Sequence, residues 1–167
     1  EMNDSVIHRG PDANGLMFFK KSGSNYEISN EDIEDWNIAL CHRRLSILDL
    51  SKAGNQPMSF DAENYWITYN GEIYNYVEIK ESLIKKGYVF KSNSDTEVII
   101  ASYVEWGPDC FKIFRGMWSI VIFNRKKNTI VISRDRLGIK PLYFWKYNDS
   151  IITLCSEIKQ ILKLGFY

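Results

Sequence analysis

The sequence predicts an α+β domain in which helices pack against antiparallel β-sheet. Two observations favour this class. Two helix-start signals stand close together in the middle of the chain, and short apolar runs separated by polar turns occupy the remainder. The chain has 167 residues, of which 45% are hydrophobic and 25% charged. This composition excludes a disordered or collagen-like protein and suffices for one domain with its own core.

The first part of the chain predicts two strand regions and a loop. An apolar run at residues 15–20 is followed by a polar stretch at residues 21–25, which favours a β-hairpin. Residues 36–47 have the apolar content of a strand but contain two arginines, and this charge needs a partner or a surface position. A loop is expected over residues 49–57, which are rich in Gly, Asn, Ser and Pro.

The aromatic run at residues 65–69 predicts a strand that stops at a tight turn, Asn70-Gly71-Glu72. Two helices are expected after this turn. The first has Asn75 and Glu78 as a capping pair and ends at Gly87. The second begins with the capping box Ser94-Asp95-Thr96-Glu97 and continues through an apolar run that indicates a well-buried helix.

Short strands and polar turns dominate the last third of the chain. Four strand-like runs, separated by brief turns, predict an antiparallel meander, and a short helix is expected at residues 157–164. The first run is apolar on both faces, as in a strand covered on both sides. The runs are residues 118–123, 129–133, 142–147 and 151–155.

Charge and composition exclude several classes of function. Lys plus Arg (21) equals Asp plus Glu (21), so a nucleic-acid partner is not expected. No apolar run approaches the roughly 18 residues of a membrane span, and no membrane partner is expected. Three widely spaced cysteines and two histidines favour free thiols in the cytoplasm and give no metal site.

Arg44 and the Asn70-Gly71 pair are the first candidates for chemistry. A guanidinium in an apolar strand suits the α-carboxylate of an amino acid, although an arginine at a strand edge or in an internal salt bridge is the favoured alternative for an isolated residue. An amide side chain beside a glycine N–H provides the two donor types of an oxyanion hole. The alternative for this pair is an ordinary hairpin turn, and the residues alone leave both open.

Glu72 and Asp95 are the second candidates. With one arginine, two carboxylates complement the charges of a zwitterionic amino acid, whereas Asp95 alone could simply stabilise the start of its helix. The segments Arg9-Gly10-Pro11-Asp12 and Arg134-Asp135-Arg136 favour turns or salt bridges and are given no catalytic role.

Six motifs together resemble the class II glutamine amidotransferase domain of the glutamine-hydrolysing asparagine synthetase family. They occur in the order seen in that family and cover nearly the whole chain, and GEIYN with GIKPLY favours this branch over the phosphoribosyl and hexosamine amidotransferases. The motifs are residues 8–15 (HRGPDANG), 42–49 (HRRLSILD), 56–58 (QPM), 69–75 (YNGEIYN), 94–97 (SDTE) and 134–143 (RDRLGIKPLY).

The resemblance implies an N-terminal-nucleophile hydrolase fold, a four-layer αββα sandwich of two antiparallel sheets flanked by helices. It also implies hydrolysis of the glutamine side-chain amide to glutamate and ammonia. Arg44 would bind the α-carboxylate of glutamine, Asp95 and Glu72 the α-ammonium, and Asn70 with the Gly71 N–H the oxyanion. Backbone groups near Leu45 and Ile47 would add contacts to the substrate.

One part of the family pattern is not found in this sequence. The family nucleophile is an N-terminal cysteine, but residue 1 is Glu and the cysteines are Cys41, Cys110 and Cys155. We therefore expect residues 1–167 to be a glutaminase domain truncated at its N-terminus, and to be inactive by themselves. An upstream segment would carry the nucleophile.

The resemblance also implies a C-terminal synthetase domain, absent from these residues, that uses ATP and Mg; the glutaminase domain itself needs no cofactor. Aspartate is the default acceptor of the ammonia, although related synthetases act on other acids. The alternative function is a non-catalytic module that binds an amino acid or packs against a partner. The oligomeric state stays open, with a homodimer among the alternatives.

Overall fold

The computed structural model describes residues 1–165, which fold into antiparallel sheets and one layer of helices. The α+β class expected from the sequence is confirmed. Nine strands are present in these residues: β1 (Ala13–Ser22), β2 (Asn25–Ser29), β3 (Ile38–Arg44), β4 (Met58–Phe60), β5 (Tyr65–Ile73), β6 (Gly116–Asn124), β7 (Thr129–Arg134), β8 (Tyr143–Lys146) and β9 (Ile152–Cys155).

The helices of the described residues are two long and several short segments. The α-helices are α1 (Tyr76–Lys85), α2 (Asp95–Trp106), α3 (Cys110–Ile113) and α4 (Lys159–Leu162). Three 3₁₀ segments accompany them, at Asp4–Arg9, Lys52–Gly54 and Gly107–Asp109. The hairpin, the loop and both central helices are thus confirmed, and the last helix is shorter than expected. All four C-terminal strands are present, but the continuous meander is wrong, because β6 pairs with β7 and β8 with β9 while the turn after β7 separates the two pairs.

Two antiparallel sheets stack face to face. The first has the strand order β2-β1-β3 and the second β4-β5-β6-β7, while β8 and β9 pair separately. Side chains from four strands fill the space between the stacked sheets, with Phe19 in edge contact with both Trp66 and Phe123. Such contacts contribute about 0.5–1.5 kcal/mol beyond burial. The buried members of this cluster are Phe19, Leu40, Trp66 and Phe123.

Helices α1 and α2 cover the opposite face of the second sheet. Ile67, Tyr69 and Ile73 of β5 point toward the helices and are buried with residues of α1 and α2. Helix α2 is buried on all sides from Val98 to Ala101, as its continuous apolar run predicts. The described residues thus show one full helix layer and two sheet layers; Asp4–Arg9 and α4 are short and contact one another.

Strand β5 does not stop where the sequence predicts. Asn70 and Gly71 lie inside the strand, opposite Ser119 and Trp118 of β6, and the pairing continues to Ile73. The expected turn is therefore wrong. A side chain at position 71 would collide with the backbone of Met117 and Trp118, so glycine here serves the close approach of β6 and not a turn.

The two predicted helix caps are only partly present. The Asn75 side chain makes no cap hydrogen bond; it binds the Ile113 carbonyl and the Arg115 N–H, so the expected capping pair with Glu78 is wrong. Ser94 does cap α2 through the Thr96 N–H. Glu97, however, accepts hydrogen bonds from the preceding loop at Lys91 and Ser92 and does not close a capping box.

Asp135 organises the turn after β7. Its buried carboxylate accepts hydrogen bonds from the N–H groups of Trp118, Leu137, Ile139 and Lys140 at 2.9–3.2 Å. Burial opposes ionisation, but these N–H donors hold the pKa of Asp135 below its usual value. The turn expected from the motif is confirmed, with Asp135 as its centre.

Replacing this carboxylate should destabilise the fold. In Asp135→Ala four backbone N–H groups lose their acceptor, so the free energy of unfolding should fall by about 3 kcal/mol, measured by urea denaturation. Asp149→Ala is the matched control, because Asp149 is an exposed partner of Lys146 and its loss should change stability by less than about 0.5 kcal/mol. Equal effects would contradict the role given to Asp135.

Candidate functional site

A cleft opens at one end of the space between the two sheets. On β5 the residues facing the first sheet change from Trp66, which fills the space, to the smaller or polar Thr68, Asn70 and Glu72. On β6 the same change leads from Phe123 through Val121 to Ser119. The resulting cleft has a volume of about 420 Å³, within the range of small-molecule sites.

Arg44 enters the cleft from the end of β3. It shares a strand face with Ile38 and Leu40, which pack into the apolar cluster, so alternation alone turns its side chain inward. The side chain is buried. This explains the charge in an apolar strand.

The acceptors that hold the Arg44 guanidinium are all uncharged. Nη1 donates to the Ser51 carbonyl at 2.8 Å and to Asn55 Oδ1 at 2.9 Å, and Nη2 donates to the Asp49 carbonyl. No carboxylate forms a salt bridge with Arg44 among residues 1–165. The internal salt bridge weighed as an alternative is therefore absent there, although the charge of Arg44 helps to lower the pKa of Asp49.

Asp49 fixes the loop that carries these acceptors. Its carboxylate accepts from the Ser51 N–H at 2.8 Å and from the Asn93 N–H at 2.9 Å, just before α2. Hydrogen bonds from Ser51 and Asn93 hold the pKa of Asp49 below its usual value. The loop around Arg44 is thereby attached to the start of the helix that carries Asp95.

The Gly71 N–H lies on an open edge of β5. Trp118, opposite Gly71, directs its N–H and carbonyl to Asp135 on the far side of β6, so Gly71 and Trp118 form a non-hydrogen-bonded pair. The Gly71 N–H consequently points away from β6. Strand β4 pairs only with residues 65–67 and does not reach this position.

The neighbouring N–H groups on this edge are both occupied by side chains. The Tyr69 N–H donates to Gln56 Oε1 at 2.6 Å, and the Ile73 N–H donates to Asp95 Oδ2 at 3.0 Å. The Gly71 N–H lies between them without such an acceptor. Asn70, on the adjacent position, directs its side chain into the cleft.

Asp95 and Glu72 bring two carboxylates to the same cleft. Asp95 is the first residue of α2 and is buried, and its Oδ2 also accepts from the Tyr69 hydroxyl at 2.8 Å. Burial raises the pKa of Asp95, and the charge of Glu72 adds to this rise, whereas hydrogen bonds from Ile73, Tyr69 and Thr96 oppose it. The two carboxylates are thus close enough to influence one another.

His42 contributes a neutral ring beside these groups. Its Nε2 donates to the Tyr69 carbonyl at 3.0 Å, and because a carbonyl only accepts, Nε2 carries the proton. Burial lowers the pKa of His42 to about 4, and the nearby positive charge of Arg44 adds to the effect. The buried Nδ1 has no partner among the described residues.

All sequence-predicted site residues line this one cleft. Leu45 and Ile47 lie exposed on its rim, and the others lie deeper. Sequence reasoning missed Gln56, Tyr69 and Ser119, although the first two stand inside motifs quoted above. Alternation along β5 and β6 was the available signal for Ser119, which lies opposite Asn70.

The three cysteines are free thiols. Cys41 and Cys155 line the cleft, and burial raises the pKa of both. Cys110 lies in the helix-covered core, where burial raises its pKa to about 12. Neutral thiols are poor nucleophiles, so none of the three has the properties of an activated catalytic cysteine.

Residues 1–165 contain no group of three side chains that could hold a metal ion.

The fold is that of the amidotransferases of the N-terminal-nucleophile hydrolase class. Glutamine phosphoribosylpyrophosphate amidotransferase from B. subtilis superposes with a TM-score of 0.79 over 98% of this chain and 40% of that one, at 20% sequence identity. A likeness at this identity establishes the architecture, including the stacked antiparallel sheets. No helix of residues 1–165 is long and apolar enough to span a membrane.

The chain belongs to the glutamine amidotransferase domain family, whose model matches residues 1–166. It is 38% identical over 162 residues to a Bacillus subtilis glutamine-hydrolysing asparagine synthetase, covering 97% of this chain and 23% of the relative. It is 33% identical over 159 residues to an Arabidopsis thaliana enzyme of the same name, covering 95% of this chain and 24% of the relative. The chain thus spans about a quarter of the length of these relatives.

Protonation of His42 should be coupled to unfolding. The unfolded ring binds a proton near pH 6.5 and the folded ring only near pH 4, so the free energy of unfolding falls as the pH drops through this window. His42→Gln should lack this part of the pH dependence, measured by urea denaturation at several pH values. An NMR titration showing His42 protonated at pH 6 would contradict the buried, neutral ring.

Proposed function

We propose that the cleft binds free L-glutamine and supports hydrolysis of its side-chain amide to glutamate and ammonia. One observation carries the proposal. A buried guanidinium without a carboxylate partner shares a small cleft with two carboxylates and with an unoccupied backbone N–H on a strand edge. These charges complement those of a zwitterionic amino acid, and the N–H is a donor for a polarised carbonyl.

Glutamine would be held at its α-carbon by charge. Its α-carboxylate would accept from Arg44, whose present acceptors leave part of its five-donor fork available. Its α-ammonium would lie between Asp95 and Glu72. Rim backbone groups near Leu45 and Ile47 would add hydrogen bonds. The substrate would neutralise Arg44 and reduce the repulsion between the two carboxylates.

The amide end would then lie over β5. Attack of a thiolate on the side-chain carbonyl carbon forms a tetrahedral intermediate whose oxygen carries the negative charge. The Gly71 N–H and the Asn70 amide N–H are the donors placed to stabilise it. Collapse of the intermediate expels the amide nitrogen as ammonia after it gains a proton, and water releases glutamate from the thioester.

The attacking thiol is not proposed to be Cys41, Cys110 or Cys155, since burial disfavours the thiolate of each. The resemblance described above assigns this role to an N-terminal cysteine. Inactivity of residues 1–167 by themselves therefore stays a prediction.

For the full-length protein we propose a synthetase domain that uses the ammonia. The names of the relatives, which are glutamine-hydrolysing asparagine synthetases, support aspartate as the acceptor. The family resemblance is the basis for expecting ATP and Mg in that domain and no cofactor in this one. The free thiols support a reducing, cytoplasmic setting. A homodimer is compatible with this proposal and would be tested by sedimentation of the full-length protein.

Arg44→Ala in the full-length protein should raise the KM for glutamine by at least about a hundredfold, because a buried charge-assisted contact to the α-carboxylate is lost. Asparagine formation from free ammonia should continue at the wild-type rate. Both activities are measured by following product amino acids under steady-state conditions.

Arg125→Ala is the matched control, since Arg125 lies outside the cleft and donates to the Glu63 carbonyl. It should leave both activities unchanged. Equal loss with glutamine and ammonia in Arg44→Ala would show that Arg44 is structural and would remove the main support for glutamine binding.

Asn70→Ala should lower kcat for glutamine hydrolysis by on the order of 10²-fold with little change in KM, as expected for an oxyanion donor. Asn64→Ala, in an exposed turn, is the control. An effect confined to KM would reject this role. Wild-type protein that binds glutamine tightly but never releases ammonia would instead favour the non-catalytic binding module.

A further inference from the structure

Tyr69 joins three parts of the cleft that come from separate regions of the chain. Its carbonyl accepts from His42 on β3, its N–H donates to Gln56 in the loop before β4, and its hydroxyl donates to Asp95 on α2. It immediately precedes Asn70 and Gly71. No other described residue makes hydrogen bonds to all three of these elements.

The contact between the Tyr69 hydroxyl and Asp95 is fully enclosed. Tyr69 is 4% exposed and Asp95 5%, and their oxygens are 2.8 Å apart. Burial and the negative charge of Asp95 raise the pKa of Tyr69 far above its usual value, so the hydroxyl stays a donor.

This hydroxyl determines which face of the Asp95 carboxylate remains for a ligand. A carboxylate has about four lone-pair positions. The Tyr69 hydroxyl and the Ile73 N–H occupy both positions on Oδ2. The positions on Oδ1 have no side-chain partner among the described residues, and the carboxylate cannot rotate without breaking the two bonds to Oδ2.

We propose that Tyr69 is a positioning residue that sets the selectivity of the cleft for amino acids carrying a free α-ammonium group. It acts through Asp95, by fixing the carboxylate that faces the ammonium. The inference rests on the proposed binding of glutamine and adds a residue that does not itself touch the substrate.

A purely structural role is the competing explanation, because the Tyr69 ring packs in the core under α1 and α2. Phenylalanine retains that ring and removes only the hydroxyl. The backbone bonds to His42 and Gln56 are also retained. Tyr69→Phe therefore separates the hydrogen bond from the packing.

In the full-length protein, Tyr69→Phe should raise the KM for glutamine about tenfold and change kcat by less than about threefold. The inhibition constant of 4-carbamoylbutanoate, which is glutamine without its α-amino group, should stay within about twofold of wild type. In an Asp95→Asn background, Tyr69→Phe should raise KM by less than about twofold more.

The matched control is Tyr88→Phe, which removes a tyrosine hydroxyl that donates to Glu105 at 3.1 Å outside the cleft. It should leave every constant unchanged. An unchanged KM in Tyr69→Phe, equal weakening of glutamine and 4-carbamoylbutanoate, or full additivity with Asp95→Asn would each overturn the proposal. Absence of ammonia release by the wild-type protein would instead refute the proposed function.

Discussion

The cleft depends on unequal pairing of the two edges of β5. Strand β6 covers one edge along all nine residues of β5, whereas β4 covers three residues on the other. The uncovered edge must satisfy its N–H groups by other means, because buried backbone donors are rarely left unpaired. Side chains of Gln56 and Asp95 do so at Tyr69 and Ile73. Within residues 1–165 no side chain accepts from the Gly71 N–H between them, so this donor is available to a ligand.

Hydrogen bonds to uncharged partners hold the Arg44 guanidinium and the Asp95 carboxylate in the cleft. Arg44 is buried and donates to carbonyl oxygens, whereas Asp95 is buried and accepts from N–H and hydroxyl donors, with the half-buried Glu72 beside it. An empty site therefore keeps separated charges of opposite sign. A zwitterion of matching length pairs with the positive and the negative groups at once. This is the physical basis for selecting a free amino acid over a peptide.

The sequence predicted the elements better than it predicted the junctions between them. Helix α2 was evident because its apolar run and Ser94 agree, and the strand pairs β1–β2, β6–β7 and β8–β9 have clear polar turns. The turn predicted at Asn70-Gly71 was wrong because pairing with residues 116–119, which are distant in sequence, outweighs the local turn preference of Asn-Gly. The cap predictions at Asn75 and Glu97 failed for a similar reason, since the Asn75 side chain binds the end of α3 and the Glu97 side chain binds the loop before α2. Alternation along β3 could have placed Arg44 inside, but not its uncharged partners in the following loop.

The alternation of β5 also separates the positions that the fold needs from the positions that can change during evolution. Residues 67, 69, 71 and 73 serve the helix-covered core or the close contact with β6, whereas residues 68, 70 and 72 face only the cleft. Substitutions in the second set can adapt the site to a different small molecule at little cost to folding. Tyr69 is the exception, because it belongs to the core by its ring and to the cleft by its hydroxyl. Divergent specificity should therefore arise first at the even-numbered positions, with Tyr69 retained as long as an α-amino group has to be recognised.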